Sequence, residues 1–209
     1  MTRTRWAAAG VLMLAAFVGL GLLVSKQPLK IDVVIADALR GQYARPLGRV
    51  AGVVTDVFGP VLPVVLGAGL LLAAIRWRDH ASVLLRIVVV LVLCRVTSTV
   101  FKPVFVRQRP RAYPDLSYPS GHVVSVASTG LAAALVCLWL APRLVRRVVA
   151  IAVAATVLSA ACRIVLGVHW LTDTVGAVLA VTGIGLIAAV ALRLLPGPRD
   201  RVPTSTETA

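Results

Sequence analysis

Apolar residues run in long stretches along nearly the whole chain, separated by short polar connections. A hydrocarbon core of roughly 30 Å needs about 20 apolar residues for one helical crossing. The stretches at 1–24, 50–75, 83–101, 122–140, 145–166 and 172–195 are of that length. They predict an all-α integral membrane bundle of six transmembrane helices, with Pro60 and Pro63 kinking the second. Arg3 and Arg5 ahead of the first run are also what a cleaved signal peptide would show. That run is as long as a full span, however, and residues 23–26 lack a small-x-small cleavage site, so a retained helix is expected. The longest polar connection is 25–49. Within it, the segment 31–40 is amphipathic at helical spacing. Asp32, Asp37 and Arg40 fall on one side, and Ile31, Val34, Ile35, Ala38 and Leu39 on the other. It is expected to lie in the membrane interface as an anchor. The reading is one domain over 1–201 and a disordered polar tail at 202–209.

Composition supports this pattern. The 209 residues are 59% hydrophobic and 14% charged, with a mean hydropathy of +0.92, which leaves too little polar surface for a soluble domain. The net charge of +14 would suggest nucleic acid in a soluble protein. Here the basic residues sit between apolar segments, where they meet anionic headgroups, and no basic stripe with interleaved aromatics exists. Membrane lipids, and no nucleic acid, are the partners expected. Arg76, Arg78 and Arg86, then Arg143, Arg146 and Arg147, then Arg193, Arg199 and Arg201 share one side with Arg3 and Arg5. By the positive-inside rule that side is cytoplasmic, with both termini, and Trp6, Trp77 and Trp139 mark its interface. Cys94, Cys137 and Cys162 are isolated within apolar segments and indicate neither zinc nor a disulfide framework.

The same topology brings three polar clusters to the opposite side, at the outer ends of helices three to six. Lys102 and Arg109-Pro110 follow the third span, Tyr118-Pro119-Ser120-Gly121-His122 opens the fourth, and Arg163 and His169 to Asp173 join the fifth and sixth. Lys102, Arg109 and Arg163 are cations that repel one another unless an anion holds them. Ser120 suits a helix N-cap, and Gly121 lets a ligand approach the backbone at a helix N-terminus, a ready anion site. His169 and Asp173 are four apart, so one helical face can let the carboxylate fix the imidazole tautomer. His122 and His169 together offer a nucleophile and a proton donor beside an oxyanion site.

The spacings K-x6-R-P, P-S-G-H and R-x5-H-x3-D, in that order, resemble the type 2 phosphatidic acid phosphatase (PAP2) family of lipid phosphate phosphatases. The resemblance implies that His169 attacks phosphorus, that Asp173 orients His169, and that His122 protonates the leaving oxygen and then activates water. It implies that Lys102, Arg109, Ser120, Gly121 and Arg163 hold the phosphoryl oxygens. One position departs from the family, which usually has serine where this chain has Cys162, a weaker donor. With three cations and no carboxylate cluster suited to magnesium, no metal and no other cofactor is expected. The implied substrate is a lipid phosphate drawn from the bilayer: phosphatidate, phosphatidylglycerol phosphate, diacylglycerol pyrophosphate or a polyprenyl pyrophosphate. The arginine-rich, alanine-rich and valine-rich usage suggests a bacterial plasma membrane.

Two other classes use the same features differently. A phosphate-binding transporter needs polar residues at the bilayer midplane, and few are present. A silent scaffold of the same family normally lacks a motif residue, and none is lost here. Asp56 and Arg95 remain as charges inside the second and third spans, and an ion pair between them is expected to brace the helix carrying Lys102.

Overall fold

The computed structural model describes residues 2–196, and the expected tail at 202–209 lies outside them. Among the described residues the chain forms nine α-helices joined by turns. They are α1 (Arg3–Val24), α2 (Lys30–Ala38), α3 (Pro46–Phe58), α4 (Val61–Arg76), α5 (Ala81–Arg95), α6 (Thr97–Phe105), α7 (Gly121–Leu140), α8 (Val145–Val165) and α9 (Leu171–Ala191). Six helical segments are long and apolar enough to cross a membrane: α1, α3 with α4, α5 with α6, α7, α8 with the turn before it, and α9.

The kink expected in the second span is a full break. α3 ends at Phe58, and Gly59 and Pro60 intervene before α4. Proline lacks the N–H that would continue the ladder, and its ring clashes with the carbonyl four residues back. Pro63 lies in the first turn of α4, where a missing N–H is tolerated. The break lets one span serve two neighbours, with α3 packed on α8 and α4 on α5. This corrects the expected Asp56–Arg95 pair. Because α3 turns toward α8, Asp56 is exposed and forms no ion pair with Arg95, whose guanidinium instead donates to Ser98 Oγ at 3.5 Å. The third span is likewise interrupted, at Val96 between α5 and α6, and α6 runs on to Phe105.

α7 and α9 form the axis of the bundle. Half of the central window of α9 is buried, against 22% for α1 and α8. Leu84, Ile87, Val90 and Cys94 of α5 meet Val123, Val124 and Ala132 of α7 and Ala177 and Val181 of α9 in the main core. α1 lies along α9 at very short range. A Cβ added to Gly183 would stand 2.8 Å from the Leu14 nitrogen, so only glycine permits this approach. Further along α1, Phe17 stacks on Tyr118 at 5.4 Å and meets Phe101 and Phe105 edge-on, and Tyr118 donates to the Phe17 carbonyl at 2.7 Å. The first span thus supports the segment that opens the fourth.

α2 corrects a second expectation. Ile31 and Val34 are exposed, as an interfacial face requires, and Asp37 pairs with Arg40 at the surface. Asp32, grouped with them in the sequence reading, is buried and points into the protein. Its ion-pair partner Arg107 and its partner Thr172 lie far off in sequence, which is why local amphipathicity misassigned it.

Candidate active site

Lys102, Arg109, Gly121, His122, Arg163 and His169 line one cavity of about 420 Å³ at the end of the bundle where α6 to α9 meet. Each arrives from a different local structure. Lys102 is in the last turn of α6, His122 in the first turn of α7 and Arg163 in the last turn of α8. Arg109 comes from the loop after α6, and His169 from the turn that precedes α9. Ser120 and Asp173, the other two residues expected at the site, are fully buried in its wall. Ser120 is the N-cap of α7 but makes no side-chain capping bond, and its hydroxyl has no partner. A buried hydroxyl without a partner is unusual and suits an oxygen that arrives with a ligand.

The His169 ring is held at both nitrogens. Nδ1 lies 3.3 Å from Asp173 Oδ2, and Nε2 lies 3.1 Å from Arg109 Nη1. A guanidinium only donates, so Nε2 must accept, and the proton sits on Nδ1, donated to Asp173. Burial pushes His169 down to about 4, against the pull of the Asp173 hydrogen bond and charge. The ring is therefore neutral near pH 7, with its unprotonated Nε2 at the cavity wall accepting from Arg109: the form a nucleophile needs once Arg109 turns to a ligand. His122 lines the cavity and makes no hydrogen bond to the described residues. It rests against the break in the second span, where a Cβ on Gly59 would fall 2.5 Å from its Cδ2. The break thus also makes room for this imidazole.

The cations differ in what they hold. Lys102 and Arg109 both pair with Asp115, and Arg109 Nε donates to the Asp115 carbonyl at 2.6 Å. Burial would raise the Asp115 carboxyl, but the Lys102 hydrogen bond and charge, the Leu116 amide and Arg109 outweigh it and hold it below the usual range. Arg163 is buried, forms no ion pair among the described residues, and leaves its Nε without a hydrogen bond. A desolvated cation with no anion is costly and is a place for one to bind. Tyr113 covers Arg109, with the guanidinium carbon 4.4 Å from the ring centre.

Behind His169 lies a network the sequence reading did not contain. Asp173 Oδ1 accepts from Arg107 Nη1 at 2.5 Å, and Oδ2 accepts from Ser117 Oγ and the Trp170 amide. Arg107 Nη2 donates to Asp32 at 2.7 Å, and Asp32 also accepts from the Thr172 amide at 3.0 Å and hydroxyl at 2.6 Å. Arg107 sits among the six unspecified positions between Lys102 and Arg109, two residues from a motif arginine. That proximity was the available signal. Cys162 is buried and hydrogen-bonds to none of the described residues.

Six membrane-length helices enclosing a histidine-and-arginine site at one end define a multi-pass membrane protein of a recognised architecture. Residues 83–195 match the model of the PAP2 superfamily, which is more than half of the chain and includes all eight expected site residues. The chain belongs to that superfamily. Among solved structures it is similar to the transmembrane PAP2-type phosphatidylglycerolphosphate phosphatase from Bacillus subtilis. The TM-score is 0.65 at 24% identity, covering 87% of this chain and 94% of that one. No curated protein matches the chain.

Proposed function

We propose that the protein is a lipid phosphatase that cleaves a phosphomonoester or pyrophosphate of a membrane lipid through a phosphohistidine on His169. The observation that carries this is a buried imidazole with Nδ1 on a carboxylate and Nε2 on Arg109, at the wall of a cavity where Arg163 has no counter-ion among the described residues. In the proposed reaction the substrate phosphate displaces Asp115 and takes up Lys102, Arg109 and Arg163. The Ser120 hydroxyl and the Gly121 amide lie at the α7 N-terminus beside it. Nε2 forms a bond to phosphorus as the bond to the lipid oxygen breaks, and His122 gives that oxygen its proton. Asp173 stabilises the positive charge then shared by the His169 ring. His122, now neutral, takes a proton from water as the water oxygen attacks phosphorus. Phosphate leaves and Nε2 regains its lone pair. Phosphoryl transfer depends mainly on positioning and charge neutralisation, which three cations provide without a metal.

The substrate class is an amphiphile with its phosphate at headgroup depth, and the arginine distribution supports a site facing away from the cytoplasm. Purified protein in mixed micelles, assayed with phosphatidate, phosphatidylglycerol phosphate and a polyprenyl pyrophosphate in EDTA, should release phosphate from at least one. Acid-labile phosphate should map to His169. His122→Ala should slow ordinary lipid substrates by about 10²–10⁴-fold and an activated aryl phosphate less. No release from any lipid, a need for magnesium, or label on His122 would each contradict the reading. For sidedness, a cysteine replacing Ala112 in a background without native cysteines should react with an impermeant reagent outside intact cells, and one replacing Ala81 should not.

A further inference from the structure

α2 and α9 begin in the same way. In each, an aspartate in the first turn reaches back to a backbone amide just before the helix. Asp32 accepts from the Leu29 amide at 3.3 Å, and Asp173 from the Trp170 amide at 2.8 Å. Arg107 lies between them with one terminal nitrogen on each carboxylate. All three side chains are almost fully buried, at 3% exposure or less. Thr172, next to Asp173 in sequence, joins both sides by its hydroxyl, which donates to Asp32 and accepts from Arg107 at 2.7 Å.

We propose that Asp32 and Arg107 are positioning residues for the phosphatase reaction: through them the interfacial helix α2 fixes the Asp173 carboxylate toward His169 and keeps it negatively charged in effect. This rests on the proposed role of His169 as nucleophile.

The geometric part follows from Arg107 being planar. A guanidinium that bridges two carboxylates fixes the angle between them, which a lysine cannot do. The Asp173 oxygen that faces His169 is held by Ser117 and the Trp170 amide, and the bond from Arg107 to the other oxygen fixes the rotation of the carboxylate. The electrostatic part follows from counting charges. Arg107 alone would neutralise Asp173 and leave the imidazolium of the transition state without a counter-charge. Asp32 takes up Arg107's charge, so the trio keeps one net negative charge behind the ring. The other groups facing His169 are cationic or neutral: Arg109 at Nε2, with Arg163 and His122 across the cavity. Asp173 is thus the sole anion in contact with the ring among the described residues. Asp115, the nearest exposed carboxylate, is taken up by Lys102 and Arg109.

The test compares Asp32→Asn, the double variant Asp32→Asn/Arg107→Gln, and the control Asp37→Asn from the exposed side of the same helix. Each is assayed for kcat and KM in lipid micelles and by histidine-ring NMR, where three histidines give a resolvable spectrum. Asp32→Asn should lower kcat by about 10- to 100-fold with little change in KM, the range for losing an outer partner that orients a functional imidazole. It should also move the His169 titration to lower pH, since net negative charge behind the ring is lost. The double variant removes both ions and strands neither, so it also tests the idea if the single variant folds poorly. It should return the titration toward wild type while kcat stays low, separating charge from orientation. Asp37→Asn should change nothing. A loss confined to KM, or an unmoved His169 titration in Asp32→Asn, would overturn the proposal. Wild-type protein inactive on every lipid would instead remove the phosphatase reading, and the ring titration would still report on the trio.

Discussion

Asp115 and Asp173 stand on opposite sides of the same row of cations and histidine, and they are built for different tasks. Asp115 is on a loop, its side chain 52% exposed, and it meets Lys102 and Arg109 from the cavity. Asp173 is inside a helix, fully buried, and accepts from Arg107, Ser117, His169 and the Trp170 amide. An exposed ion pair contributes little and exchanges readily, whereas a buried carboxylate held at both oxygens is fixed in place. The difference teaches that one site can need two kinds of carboxylate. In the proposed reaction one occupies the phosphate position until an anion replaces it, and the other stays with the nucleophile.

The largest effect should come from the buried side. Asp173→Asn should cut turnover by about 10³–10⁴-fold, as expected where an orienting carboxylate is lost and the imidazole takes the wrong tautomer. Steady-state kinetics with the best lipid substrate would measure it, and a loss below tenfold would make the two carboxylates equivalent. Next is the cation that neither carboxylate reaches. Arg163→Met should reduce kcat by about 10²–10³-fold, comparable to removing one preorganised charge from an oxyanion site. A pure KM effect in the same assay would assign Arg163 to binding alone.

The pH profile sharpens the contrast without mutation. His169 is lowered to about 4 from 6.5, so its neutral form persists as pH falls through 6 and is lost only near 4. The limb of kcat/KM due to this ring should therefore lie near pH 4. The smallest effect should have the opposite sign. Asp115→Asn removes the anion that competes with phosphate. An exposed pair is worth roughly 0.2–1 kcal/mol, so vanadate should bind up to about fivefold more tightly. Weaker vanadate binding would show that Asp115 organises the cations rather than occupying their ligand's place.

Much of this was legible because the membrane simplifies the reading. A span is recorded in composition, so the six crossings could be placed to within a few residues, and alternating topology gathered Lys102, Arg109, His122, Arg163 and His169 at one end. The break at Gly59 and Pro60 was marked by proline, but its consequence, a change of partner from α8 to α5, depends on packing that no local pattern carries. The turn at Val96 had no marker at all. Arg107 and Asp32 escaped because their bond joins positions 75 apart, and because a charged residue on an amphipathic helix is read as facing water unless its partner is known. The Asp56–Arg95 pair failed for the same reason in reverse. Depth in the membrane suggested a partner, and the rotation of α3 toward α8 denied it.

The contact between α1 and α9 has a consequence for how the protein is made. Of the six described spans α1 leaves the ribosome first, yet its close-packed partner α9 is synthesised after the other five. Phe17 must wait in the bilayer until Tyr118 arrives, and Gly10 until Gly183 follows. Long sequence separation of this kind delays closure of a fold. The bundle therefore closes only once α9 has inserted, and a nascent chain with the five earlier spans in place carries Lys102, His122 and Arg163 but not the helix that holds Asp173. In the proposed reaction a chain without α9 has no carboxylate to orient its nucleophile, so a ribosome stalled before that span should leave a protein that does not cleave the lipids around it.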